Sequence, residues 1–427
     1  MQHDLVKACF LSIALCVSIN VQTATASDSI FTANAQRHSS NLDTKTELAL
    51  DAILSGDWPN AAHHAQQLVD SFPDYALAQL ILAEAHNVAA LSDPLITRLP
   101  NYSTEIIELL LEARARVQHK TVTKDNFADN STQLPAELIQ AGSHIDHVVF
   151  VDLDSSQLYL FDTTSPSPQL IKKHYISSGK AGFGKLIEGD FKTPLGVYRI
   201  HGFRSDDSLP SLYGSGALML NFPNALDRSL GRTGSGIWLH GNPRSDRSRS
   251  PRSSEGCVTM ANDHLLDLYQ HIDIARTEVV LAHDVQWRNR TDLAIQQDKF
   301  RELFAQYRSA WLHNNFNDLA AIYTPDSLPS AIKSAGLGTT RRVSSNNTTH
   351  SKLLSPVGIS LDALANTHAQ DISLLLNPDT DQPNAKKHLV MSFELNDSSR
   401  TRVTFYWEQN RDGYWQIKRE EINAGGA

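Results

Sequence analysis

Two periodicities divide the chain. Between Leu42 and Ala90 apolar residues return near every 3.6 positions, with Leu48, Ile53, Ala61, Ala65 and Leu68 falling near that period, which predicts helices. Gly56-Asp57-Trp58 breaks the first helix from the second, and Phe72-Pro73-Asp74-Tyr75 stops the second before a third over Ala76–Ala90. A further amphipathic helix is expected from Ser103 to about His119, with Ile106, Leu109, Leu110 and Ala113 on one side. The polar run Thr121–Thr132 reads as a linker, and 121–144 as linker plus entry segment, with Leu134–Leu138 leading into the next domain. From His147 the period falls to two. Strands are expected at 147–153, 157–161, 171–178, 193–200, 217–221, 236–240 and 278–282. The glycine-rich run 179–184 has Leu186 where a phosphate loop needs Ser or Thr and no helix after it, so it reads as a hairpin loop. Short strands and frequent turns imply a mostly antiparallel sandwich or barrel over 145–285.

The pattern changes again after Asp284. Ala294–Leu312 is a strongly amphipathic helix carrying Phe300, Leu303, Phe304, Tyr307 and Trp311, followed by a short helix ending near Tyr323. A polar stretch over 342–351 looks loose. Strands at 388–395 and 401–408 then precede an Asn-Arg-Asp-Gly turn and a final strand from Tyr414. The expected architecture is therefore multidomain: an α-helical region over 40–120, a mostly-β domain over 145–285, and an α+β domain over 292–424.

Residues 1–26 read as a signal peptide, with Lys7, an apolar stretch from Ala8 to Val21 and the small-x-small site Ala24-Thr25-Ala26. A retained membrane anchor is the alternative, although the apolar run is short for a span. An exported, periplasmic protein is expected. At 427 residues with 41% hydrophobic and 20% charged residues, two or three cored domains are expected. The net charge of −9 argues against nucleic acid as the main partner.

Export changes the meaning of the cysteines. The chain has three, and Cys9 and Cys16 fall in the leader, so Cys257 stands alone and cannot make an internal disulfide. A lone cysteine following His240 suggests a nucleophile and its base, because an imidazole that takes the thiol proton makes sulfur a strong nucleophile. A buried, inert thiol is the competing reading. Gly256 would let a substrate carbonyl approach, and the Gly256 and Cys257 amides could form an oxyanion hole. Arg244, Arg247, Arg249 and Arg252 lie between the two, and guanidinium groups bind carboxylates bidentately. Arg244, Arg249 and Arg252, with Ser254, are the candidate substrate contacts, against a merely solvated basic loop. Tyr213 could orient a substrate through its hydroxyl or simply pack. Glu188 and Asp190 read as turn residues before they read as acid or base. No Cys/His pair has zinc-site spacing, and neither metal nor cofactor is expected.

The run His240-Gly241, a loop, then Ser254-Glu255-Gly256-Cys257-Val258 resembles the active-site segment of the L,D-transpeptidase (YkuD) family. Glu188-Gly189-Asp190-Phe191-Lys192-Thr193-Pro194-Leu195-Gly196-Val197-Tyr198 is similar to a second family segment. Glu255 and Thr259 stand where many members carry His and Arg. The resemblance implies a thiol enzyme acting on peptidoglycan stem peptides. Its imidazole would be steered by the Gly241 carbonyl, and the acyl group would pass to an amine (transpeptidase) or to water (L,D-carboxypeptidase). A non-catalytic wall-binding protein is the reading from another class. The helical region resembles a tetratricopeptide hairpin, either a cap on the catalytic domain or a protein-docking groove. The C-terminal region resembles the nuclear transport factor 2-like domain of one subgroup, in which such domains bind ligands or dimerise.

Overall fold

A computed structural model describes residues 42, 44–90, 104–127, 133–243, 247–330, 332, 359, 361–378, 386–395 and 400–423. The leader, the stretch 342–351 and Arg244 lie outside the described residues. The chain divides into two units.

The first unit comprises residues up to Ala113 together with Arg244–Ser248. Helical residues 44–54 precede α1 (Trp58–Ser71) and α2 (Ala76–Ala90), and α3 (Thr104–Phe127) begins in this unit and runs past Ala113. The turn before α1 is dictated locally. Gly56 takes a left-handed φ of +73°, the Asp57 side chain accepts the Asn60 N–H at 3.2 Å, and Pro59 occupies the first turn. Ala61, Ala65 and Leu68 are buried as the periodicity requires. The helix α3 extends to Phe127, into residues read from sequence as linker. Those residues are polar but contain neither Gly nor Pro, and polarity alone does not stop a helix.

All the described strands lie in the second unit. Its strands are β1 (Gln133–Pro135), β2 (Leu138–Gln140), β3 (His147–Asp152), β4 (Gln157–Asp162), β5 (Gln169–Tyr175), β6 (Ser178–Gly179), β7 (Gly196–Ser205) and β8 (Gly216–Leu220). The short helix α4 (Ala225–Ser229) precedes β9 (Trp238–Gly241), β10 (Arg252–Ser254) and β11 (Val258–Met260). Helix α5 (Asn262–His271), β12 (Thr277–Ala282) and β13 (Trp287–Asn289) follow. The long helix α6 (Arg290–Leu312), α7 (Phe316–Ile322) and α8 (Leu361–Ala365) lead to β14 (Ser373–Asn377), β15 (His388–Glu394), β16 (Arg402–Gln409) and β17 (Trp415–Asn423).

An eight-stranded sheet, in the order β11-β9-β8-β7-β12-β3-β4-β5, carries two parallel pairs, β11/β9 and β12/β3; its other pairs are antiparallel. Its central strands are apolar on both faces. Val149, Val151, Leu158, Leu160, Val279 and Leu281 pack into one core with Leu265 and Leu268 of α5. The alternate residues Val148, Phe150, Tyr159, Phe161 and Val280 belong to a second core. That second core continues through Phe300, Phe304 and Trp311 of α6 into Phe393, Phe405 and Trp407 of the C-terminal sheet. Strands buried on both sides lose the polar alternation of a half-exposed sheet.

The C-terminal sheet is antiparallel and five-stranded, in the order β17-β16-β15-β14-β2. Its edge strand β2 comes from before the eight-stranded sheet, and β1 pairs with β13. Residues 133–140, read from sequence as entry segment, therefore close sheets at both ends of the 145–285 region. Arg402 of β16 reaches Glu278 of β12 at 3.3 Å, both of them buried, and donates to the Ala275 carbonyl at 3.0 Å.

Candidate active site

The site forms where β9 and β11 lie side by side. Their parallel register pairs Leu239 with Val258 and His240 with Thr259. Leu239 and Val258 point into the core. Side chains alternate along a strand, so His240, Thr259 and Cys257, just before β11, project on the opposite face. Cys257 is then one strand over and two residues along from His240, about 8 Å between Cα atoms from standard strand spacings. The sheet brings together the two residues that seventeen positions separate in sequence.

The imidazole is fixed. His240 Nδ1 lies 2.7 Å from the Gly241 carbonyl oxygen. A carbonyl only accepts, so Nδ1 carries the hydrogen and Nε2 is the bare nitrogen of the neutral ring. Tyr213 lies edge-on to the imidazole, with ring centroids 4.9 Å apart, and tilts against Trp238 at 5.0 Å. Burial lowers the His240 pKa to about 4; the Gly241 hydrogen bond opposes the shift and the Arg249 charge adds to it. Burial also pushes the Cys257 thiol up, with the Trp238 backbone and Lys185 pulling it down and Glu255 pushing it further up. At neutral pH the pair rests as thiol and neutral imidazole, not as an ion pair. The half-buried sulfur donates its proton toward the Gly236 carbonyl at 3.3 Å.

A cradle of hydrogen bonds holds the turn before Cys257. Ser254 Oγ donates to the Cys257 carbonyl at 2.5 Å and accepts the Gly256 N–H at 3.1 Å. The Gly256 amide is therefore engaged within the turn, while Ser254 braces it. Gly256 has φ +129°, and an added Cβ would lie 2.9 Å from the Lys192 carbonyl, so only glycine fits without strain. Thr193 Oγ1 accepts the Gly179 N–H at 2.9 Å and donates to the Gly256 carbonyl at 3.0 Å. Asp190 closes its own turn by taking the Leu186 and Lys192 amides and pairing with Lys185 Nζ at 2.7 Å. Those bonds hold its pKa at about 2 against burial, which works the other way.

The candidate arginines separate cleanly. Arg249 is the one whose charge bears on His240. Its Nε donates to Ser253 Oγ at 2.8 Å, and Ser253 meets Ser177 Oγ at 2.9 Å. Ser177 in turn pairs backbone to backbone with Thr259, both bonds 2.8 Å. Arg252 lies over the Phe183 ring at 5.6 Å, 3.8 Å from Asp154, with its side chain 49% exposed. Arg247 belongs to the first unit, where it pairs with Asp74 at 3.1 Å. The Glu188 N–H donates to Thr233 Oγ1 at 3.1 Å. Among the described residues no group of three or more His, Cys, Asp or Glu could hold a metal ion. Lys185, Thr193 and Asn262 are site residues that the sequence reading did not single out. Thr193 lies in the Glu188–Tyr198 segment, and Lys185 directly follows the glycine-rich run compared with a phosphate loop; nothing in the sequence marks Asn262.

Residues 146–281 match the L,D-transpeptidase catalytic domain family, YkuD. Over 105 residues the chain is 31% identical to YafK of Escherichia coli K12, a protein named as an L,D-transpeptidase by inference only; the match takes in 24% of this chain. The chain spans 38% of the length of that curated relative. Among solved structures, Bd1075 of Bdellovibrio bacteriovorus is 23% identical with a TM-score of 0.48, covering 68% of this chain and 98% of its own. The helical cell shape determining protein Pgp2 of Campylobacter jejuni is 17% identical with a TM-score of 0.46, covering 71% and 99%.

Proposed function

We propose that this chain, which carries a catalytic domain of the L,D-transpeptidase (YkuD) family at residues 146–281, is an exported cysteine enzyme that edits peptidoglycan stem peptides in the periplasm. The observation that carries the reading is the parallel register of β9 and β11, which sets Thr259 opposite His240 and so puts Cys257, two residues before Thr259, on the same face as the imidazole, whose tautomer is set by Gly241. After the thiol turns from the Gly236 carbonyl, Nε2 of His240 takes its proton and sulfur attacks the carbonyl carbon of the third stem residue. The tetrahedral oxyanion is held by the Cys257 amide. When it collapses, the carbon–nitrogen bond breaks, His240 returns the proton to the leaving amine of the terminal D-amino acid, and a thioester remains on Cys257. A carbonyl dipole here does the orienting that a carboxylate does in many triads.

Arg249 is the arginine we assign to a substrate carboxylate, because it is braced by Ser253 and bears on the base. Tyr213, edge-on to the imidazole, would orient the substrate through its hydroxyl. Ser254 acts through the turn it braces. An amine from a second stem would resolve the thioester into a cross-link, which is L,D-transpeptidation; water would leave a tripeptide, which is L,D-carboxypeptidation. The helical region, as a tetratricopeptide-like cap or docking groove, and the C-terminal region, as a nuclear transport factor 2-like domain able to dimerise, complete the proposal. Incubation of purified protein with tetrapeptide-bearing muropeptides should give dimers by mass for transfer, or tripeptide monomers for trimming. If neither product forms and Cys257→Ser fully complements a deletion, the protein is a non-catalytic wall-binding module instead.

A further inference from the structure

We infer that Asn262, the first residue of α5 and five positions beyond Cys257, is a positioning residue that locks the Tyr213 turn onto the strand end holding His240. The inference rests on the proposed cysteine chemistry but stands on its own geometry. Asn262 Oδ1 accepts the Ser215 N–H at 2.8 Å. The same oxygen is wedged between two glycines. It would lie 2.0 Å from a Cβ at Gly214 and 2.1 Å from one at Gly241, closer than real Cβ contacts come. Gly214 also has φ +59°, and its missing Cβ would sit 2.2 Å from the Asn242 carbonyl. Only bare backbone at both positions lets the amide enter.

The wedge joins three parts of the site. Gly214 follows Tyr213, whose ring edge faces the imidazole. Gly241 supplies the carbonyl that fixes the Nδ1–H tautomer. Asn262 itself is carried by the helix that leaves the nucleophile strand, and the Asn242 N–H to Met260 carbonyl bond at 2.9 Å ties base and nucleophile strands beside it. Without the acceptor the Ser215 amide loses its partner, the Tyr213 turn is released, and His240 loses the neighbour that keeps its ring aligned with the Gly241 carbonyl. Asn262 touches no reacting atom. Its effect is exerted through His240.

The test compares wild type, Asn262→Ala and Asn262→Asp, the last retaining Oδ1. Imidazole ¹⁵N NMR of His240 in the full-length protein reads the tautomer without any substrate. The expected result is a single Nδ1–H tautomer in wild type and Asn262→Asp, and a mixture in Asn262→Ala. On tetrapeptide substrate kcat should fall about tenfold or more in Asn262→Ala with KM within about twofold, and return to within about threefold in Asn262→Asp. Should Asn262→Ala not fold, Asn262→Ser, too short to reach the Ser215 amide, takes its place. An unchanged tautomer and unchanged kcat in a folded variant would overturn the assignment. Absence of activity in wild type would count against the proposed function alone, since the tautomer measurement needs no turnover.

Discussion

The chemistry of the single residues depends on which groups are neutral. Burial keeps His240 uncharged down to about pH 4, so kcat/KM should hold flat where an ordinary histidine would already be protonated, and fall only as the pH drops through that value. Arg249 contributes to that depression. Arg249→Gln should therefore move the acid limb upward, toward the ordinary histidine value near 6.5, and raise KM for a carboxylate-bearing substrate. A limb that stays put, with KM unchanged, would remove Arg249 from the site. The sequence singles out Cys257 and His240 because Cys257 is the one cysteine outside residues 1–26, and the structure places both residues on one face of adjacent strands. Arg249 was not distinguishable from Arg244, Arg247 and Arg252, because four arginines in one loop look alike until the fold sends one to Ser253 and another to Asp74. Asn262 carries no signal in the sequence, and Lys185 only that of a phosphate-loop pattern that Leu186 breaks; the meaning of both lies in what packs beside them.

The elements around the site act as spacers whose bonds set one peptide. Thr193 bridges the Gly179 amide and the Gly256 carbonyl from inside the buried layer. Replacing it with the isosteric Val strands both groups, at about 1–3 kcal/mol for each buried partner left unsatisfied. Thr193→Val should lower Tm by several degrees and kcat by more than that loss of folded protein explains, measured by thermal unfolding and by turnover per folded enzyme. Equal kcat per folded molecule would reduce Thr193 to a stability residue. Helices were readable where a cap and a turn coincided, as at Gly56-Asp57-Trp58-Pro59. The strand β14, Ser373–Asn377, was missed, since its run Ser-Leu-Leu-Leu-Asn alternates with nothing and is too short to announce itself. The antiparallel bias was read correctly for most pairs, but the parallel pair β11/β9, which makes the site, has no hairpin to mark it.

On the scale of the second unit, the catalytic sheet is one layer of a larger core. Its face carrying Phe150 and Phe161 is covered by α6 and the C-terminal sheet, and β2 is lent across the boundary. A polypeptide ending at Asp284 would leave that apolar face in water, and we expect it to aggregate instead of folding alone. Arg402 and Glu278 form the polar fastening inside this layer. Arg402→Met leaves a buried carboxylate without its partner and should cost about 3–5 kcal/mol, read as a fall in Tm; Arg402→Met with Glu278→Gln should recover most of it. A double variant no more stable than the single would show that the pair does not act as a unit. Sequence periodicity marks each half of this core but not their sharing, because a strand buried on both faces reads the same whichever neighbour covers it.

The most direct measurement is the mass of the intact protein after brief mixing with a tetrapeptide stem and rapid acid quench. The account predicts an added mass equal to the acyl tripeptide, mapped to Cys257, absent in Cys257→Ala and slow to form in His240→Ala. Product formation with no adduct on Cys257, undiminished in Cys257→Ala, would contradict it.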